Sequence, residues 1–168
     1  EIRDFPEAKQ LPVIKGEIVF KDITFSYVPE HPVLHNVSFR IKPKETLALV
    51  GPTGAGKSTV IKLISRFYEA QSGTVMIDGQ DVKQITQESL RKQMGIVLQE
   101  SFLFTGTIME NIKYGNLGAT DEEVVNAAKT VGAHEFISKM ANRYNTEIGE
   151  RGAGLSVGQK QLISFARA

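Results

Sequence analysis

An α/β fold follows from three features of the sequence: an opening third that alternates like antiparallel sheet, a glycine-rich loop between a continuous apolar run and an amphipathic helix, and a closing third patterned as capped helices. At 168 residues, with 41% apolar and 23% charged residues, the chain suffices for one hydrophobic core and sits near the soluble globular average. Twenty basic against nineteen acidic residues leave a formal charge of +1, so no global field gathers nucleic acid or an anionic membrane. A partner must then be recognised by a local site, and nucleic acid is not expected. Without cysteine, disulfides and thiolate metal sites are excluded, and any metal must use oxygen or imidazole ligands. The longest apolar runs, such as TLALV at 46–50, fall far short of the ~18 residues that suggest a membrane-spanning helix.

Residues 1–16 hold two prolines, mixed charge and no sustained period, and read as a linker entering the domain. In GEIVFKDITFSY, Ile18 and Phe20 share one face, as do Ile23 and Phe25, but the step between the pairs breaks the period of two. A bulge is therefore predicted near Lys21 and Asp22. VSFRI alternates at Val37, Phe39 and Ile41, and KPKE turns the chain. TLALVG lacks alternation, the pattern of a strand covered on both faces, and GIVLQ at 95–99 reads the same way. Between them, Val60, Leu63, Ile64 and Phe67 form a helical stripe, TVMIDGQDV reads as a hairpin turning at Asp78-Gly79, and TQESLRKQM as a short helix. Thr107 with Glu110, and Thr120 with Glu123, match the capping box, in which two side chains satisfy helix-start N–H groups. Val124, Ala127, Ala128 and Val131 make an apolar stripe that Gly132 ends, so a helical subdomain occupies roughly residues 100–165.

GPTGAGKST at 51–59 fits G-x-x-x-x-G-K-[ST] through Gly51, Gly56, Lys57 and Ser58. Glycines let consecutive N–H groups between Pro52 and Thr59 converge on an anion, and a helix starting near Lys57 adds its positive dipole end. Triphosphate is the natural occupant. Lys57 reaches the β and γ phosphates as a flexible point charge, stabilising the charge of the transition state, while the Ser58 hydroxyl suits Mg²⁺, a hard cation that prefers oxygen. Many enzyme classes share this cradle, so alone it fixes a ligand and not a function.

With four further stretches in order around the cradle, the sequence from about residue 16 to 168 resembles the ATP-binding cassette family, specifically the nucleotide-binding domain of exporters. The stretches are FSY at 25–27 (an aromatic loop), VLQES at 97–101 (a glutamine loop), TEIGERG at 146–152 (a cross-talk loop) and LSVGQ at 155–159 (a signature). The resemblance implies an α/β fold with a P-loop NTPase core, an N-terminal antiparallel β subdomain and a helical signature subdomain. It implies ATP binding at Tyr27, Gly51, Pro52, Thr53, Gly54, Ala55, Gly56, Lys57, Ser58, Thr59 and Gln99, with Tyr27 stacked on adenine and Mg²⁺ held by Ser58 and Gln99. Leu155, Ser156, Val157, Gly158 and Gln159 would face the γ-phosphate held by a second nucleotide-binding domain, the same or a related subunit. The bland reading of that stretch, a capping box of Ser156 and Gln159 with Gln159, Leu162, Ile163 and Ala166 as its buried stripe, holds alongside. Val157 stands where the family pattern has glycine; a β-branched residue there restricts the backbone and adds bulk, pointing to a weaker contact or an unequal pair of sites.

The resemblance further implies a transmembrane domain touched through the Gln99 region and the Thr146–Gly152 loop, and a place at the cytoplasmic face of the membrane. It also implies elements after Ala168: a strand with an aspartate for the Mg²⁺ shell and a glutamate that polarises water, then a histidine. His31, His35 and His134 do not match that position, nor is Glu100 placed to serve as the base. The expectation is the front part of a longer cassette, a transport-coupled ATPase when complete and inactive as this span alone. Two other functions share the cradle: an ATP-gated dimerisation module of a soluble non-transport protein, and a small-molecule kinase. The cross-talk loop and linker-like start favour the exporter over the first. The signature and the antiparallel sheet ahead of the cradle disfavour the second.

Overall fold

The computed structural model describes residues 2–168; Glu1 and the side chain of Arg151 lie outside the described residues. The chain forms two compact units, residues 1–94 and 95–168.

In the first unit, β1 (Ile18–Val28), β2 (His31–Ile41), β3 (Ser72–Ile77) and β4 (Gln80–Asp81) form an antiparallel sheet in the order β2-β1-β3-β4. The expected bulge is present: the register shifts between Phe20 and Ile23 against β2 and between Lys21 and Thr24 against β3, with Asp22 at φ 52°. That extra residue puts both apolar pairs on the core face, so Phe20, Ile23 and Phe25 are all buried. Across the pair, Phe20 stacks on Phe39 with ring centroids 4.5 Å apart. The β3–β4 turn falls at Asp78-Gly79, whose φ angles of 47° and 78° suit a two-residue turn. Burial raises the Asp78 carboxyl, but N–H bonds from Glu17, Lys15 and Gly16, with the Lys15 charge, leave it below its ordinary value.

Helix α1 (Lys57–Ile64) buries Val60, Leu63 and Ile64 against the same core. Phe67 departs from the expected stripe and is exposed. The helix ends at Ser65, and Arg66 adopts φ 52°, which turns the following residues off the helical face. Arg66 is fully buried: it pairs with Asp4 and Glu69 at 2.9 Å each and donates to the carbonyls of Ile85 and Arg3. Residues 2–15 run along this unit: Leu11 is buried, its N–H donates to Ser89 Oγ, and Lys9 bridges Ile85 in parallel. A short helix α2 (Gln87–Arg91), capped by Thr86, completes the unit.

Two expected strands are absent. Residues 46–50 and 95–99 belong to no strand, and Leu47, Val50, Val97 and Leu98 are exposed. A strand exists only through pairing, and among the described residues neither segment has a ladder partner, however well its composition suits one. Leu49 and Met94 still pack partly on the first core.

The second unit is mainly helical. A two-residue ribbon of β5 (Gly106–Thr107) and β6 (Glu147–Ile148) sits beside α3 (Ile108–Lys113), α4 (Asp121–Thr130), α5 (His134–Ile137) and α6 (Val157–Arg167). Thr107 and Thr120 form complete capping boxes with Glu110 and Glu123. The core gathers Leu103, Ile108, Ile112, Val124, Ala128, Ile137, Ile148 and Ile163. Arg167 ties α6 to this core, donating to the backbone oxygens of Asn111 and Phe102 and to Asn111 Oδ1 at 2.8–2.9 Å. Burial lowers its guanidinium below the ordinary value, and the Tyr114 charge works in the opposite direction.

Candidate functional site

The loop from Gly51 to Gly56 bends tightly and stands open: residues 51–55 are exposed. Gly56 caps α1 in the left-handed conformation at φ 84°, with no side-chain cap, so the first-turn N–H groups are left to other acceptors. Its backbone lies directly on β2. A Cβ there would come 2.7 Å from Leu34 Cδ2 and 3.2 Å from the Val33 carbonyl oxygen, so glycine is required by angle and by space alike. Lys57 arches back over the loop, its Nζ donating to the carbonyls of Gly51 and Pro52 at 2.8 Å each. The ammonium is thus held at the loop mouth with a third proton to offer. Ser58 is exposed on the first turn, while Thr59 is buried. An open bend, helix-start amides, a lysine ammonium and a hard hydroxyl oxygen form a donor set that fits a polyphosphate with its Mg²⁺. Two open cavities in this unit, about 370 and 560 Å³, are lined by residues such as Leu11, Asp78, Phe5 and Gln84 and contain none of the cradle residues.

Tyr27, near the end of β1 and 42% exposed, is brought beside the helix that carries the cradle. Its hydroxyl bonds Thr59 Oγ1 at 3.0 Å, and its ring meets Phe25 and Tyr68 edge-on, centroids 4.8 and 5.0 Å away. Lys62 Nζ lies 5.1 Å from the centre of the Tyr27 ring and 5.6 Å from that of Tyr68. The sequence gives no sign of these last two residues, apart from Lys62 standing one helical turn beyond Thr59.

The remaining expected residues lie in the second unit. Gln99 is exposed in the unpaired 95–99 segment. In the signature, Ser156 caps α6: Gln159 N–H donates to Ser156 Oγ at 3.3 Å, and Ser156 N–H donates to Gln159 Oε1 at 2.9 Å. The serine O–H proton remains available to an acceptor. Val157, first in the helix, is 73% exposed, so its branched side chain disturbs neither cap nor core. Of the expected stripe, Ile163 is buried, Leu162 and Ala166 pack partly on the core, and Gln159 is spent on the cap. In the 146–152 loop, Thr146 C=O accepts from Ile108 N–H, Glu147 and Ile148 pair with β5, and Glu150–Gly152 form a 3-10 turn.

A family model described as ABC transporter matches residues 34–168. An uncharacterized ABC transporter ATP-binding protein of Bacillus subtilis is 54% identical over 99% of this chain and 28% of its own length. The mitochondrial iron-sulfur clusters transporter atm1 of Neurospora crassa is 47% identical, matching 99% of this chain and 23% of its own length. A solved bacterial Atm1-family ABC exporter with ATP bound superposes with a TM-score of 0.94 at 44% identity, covering 99% of this chain and 30% of that one. The chain thus spans less than a third of the length of these relatives.

Proposed function

Because the chain belongs to the ABC transporter family, we propose that it is the ATP-binding domain of an exporter, in which ATP binding and hydrolysis by paired domains drive transport by a membrane-embedded partner. One observation carries the reading: the open Gly51–Gly56 bend, closed at Gly56 by a backbone packed too tightly on β2 for a side chain, with Lys57 poised at the mouth.

In this reading the first-turn N–H groups of α1 bind the β and γ phosphates, and Lys57 exchanges its two carbonyl partners for phosphate oxygens, countering charge that builds as the γ-phosphoryl leaves. The Ser58 hydroxyl would hold Mg²⁺, which would neutralise the phosphate oxygens. Tyr27 supplies a stacking face for adenine. The α6 start, with the Ser156 O–H and the amides beside Gly158, faces the γ-phosphate of a second domain, so each site is shared between two copies. The Gln99 region and Thr146–Gly152 loop meet the transmembrane partner, placing the domain at the cytoplasmic face of the membrane. None of the carboxylates of this chain is assigned the role of the water-activating base. The exposed apolar segments 46–50 and 95–99, which lack ladder partners among the described residues, support assigning activity to the complete protein only.

Lys57→Ala in the full-length protein, titrated with ATP by calorimetry, tests the assignment. Binding should fall at least tenfold, and an unchanged affinity would refute it.

A further inference from the structure

We infer that Lys62 is a positioning residue for the base-stacking platform, its ammonium acting on bound nucleotide through the ring of Tyr27 and not by contact with the phosphates. The inference rests on the reading that Tyr27 carries the adenine.

A half-exposed tyrosine at a strand end has free rotamers, and a stacking surface is useful only if its plane is fixed before the base arrives. Here the Tyr27 ring is held from two elements. From β1, Phe25 meets it at an interplanar angle of 87°. From α1 and the residues just beyond it come the Thr59 hydroxyl, the Tyr68 ring at 89° and the Lys62 ammonium. The two tyrosine rings stand nearly perpendicular, and Lys62 Nζ lies within 6 Å of both ring centres, close enough for the attraction between a cation and an aromatic quadrupole. Lys62 is only half-buried, so its stem follows α1 while its head closes the angle between the rings. Because Lys57, Thr59 and Lys62 lie on one short helix, the element that fixes the phosphate site also fixes the plane of the platform, and hence the span between them.

The test uses full-length protein and two probes, ATP and inorganic tripolyphosphate, which lacks a base. Lys62→Met keeps the stem and removes the charge. It should weaken ATP binding about twofold to fivefold, the range of a partly exposed cation–ring contact, and leave tripolyphosphate binding unchanged. Lys62→Arg should restore ATP binding. In a Tyr27→Ala background, Lys62→Met should have no further effect on ATP, because its whole contribution passes through the missing ring. An equal loss for both probes, a loss that persists without Tyr27, or no loss in Lys62→Met overturns the inference while leaving the platform intact. If Tyr27→Ala binds ATP as tightly as the parent, the platform itself is refuted, and the inference with it. Should Lys62→Met lower the unfolding midpoint, Tyr27→Phe gives a second reading. Losing only the bond to Thr59, it should also weaken ATP selectively, and equal loss for both probes would again overturn the inference.

Discussion

Replacing Gly56 by alanine puts a quantitative demand on the cradle, because two separate costs can be read from its surroundings. The first is conformational: an L-residue held near φ 84° costs about 1–2 kcal/mol. The second is steric. The new methyl would stand 2.7 Å from Leu34 Cδ2, a flexible tip that can move, but also 3.2 Å from the Val33 carbonyl oxygen, a backbone atom of β2. Overpacking of that kind adds about 1–3 kcal/mol. Gly54 is the internal control, since it shares the left-handed conformation at φ 87° yet has nothing within 4 Å of its missing Cβ. Gly54→Ala should therefore incur only the conformational cost. If the native bend is the binding conformation, Gly56→Ala loses about 30-fold or more in ATP affinity and Gly54→Ala roughly tenfold, measured by calorimetry on full-length protein. Equal losses at the two positions, or a Gly56→Ala variant within about twofold of the parent, would refute the claim that backbone packing against β2 shapes the site.

Further predictions concern stability. Arg66→Met removes a buried guanidinium from Asp4, Glu69 and the Ile85 carbonyl, and should cost about 3 kcal/mol in denaturant unfolding. Asp4→Asn should cost well under half of that, because Asp4 is 33% exposed and its partner keeps Glu69. N–H and O–H bonds from Thr107 and Thr120 hold the Glu110 and Glu123 carboxyls below their ordinary value of 4.5. Because the folded values are depressed, the stabilisation is complete above the unfolded value and is lost as pH falls through the folded one. Helicity followed by circular dichroism below about pH 4.5 should thus decline earlier in the parent than in a Glu110→Gln, Glu123→Gln double variant, which keeps the acceptor without the titration.

What could be read without coordinates was whatever depends on neighbours in sequence. The lysine at the cradle, the three capping boxes, the Asp78-Gly79 turn and the bulge at Asp22 each follow from a few adjacent residues, because their hydrogen bonds close over four positions or fewer, or because the period of two fails at one step. The same local logic misplaced Phe67, since nothing in the stripe signals that Arg66 leaves the helix. It also assigned strands at 46–50 and 95–99, where composition suits a ladder but pairing, a property of distant segments, is not made among the described residues. Long-range contact decided the rest: Arg66 becomes a buried cation through Asp4, 62 positions away, and Tyr27 gains its fixed plane from Thr59, Lys62 and Tyr68, 32 or more positions along the chain. The sequence by itself determined the chemistry available to a phosphate. Only tertiary packing decided how rigidly that chemistry is held, because rigidity comes from atoms that meet in space after the chain has closed on itself.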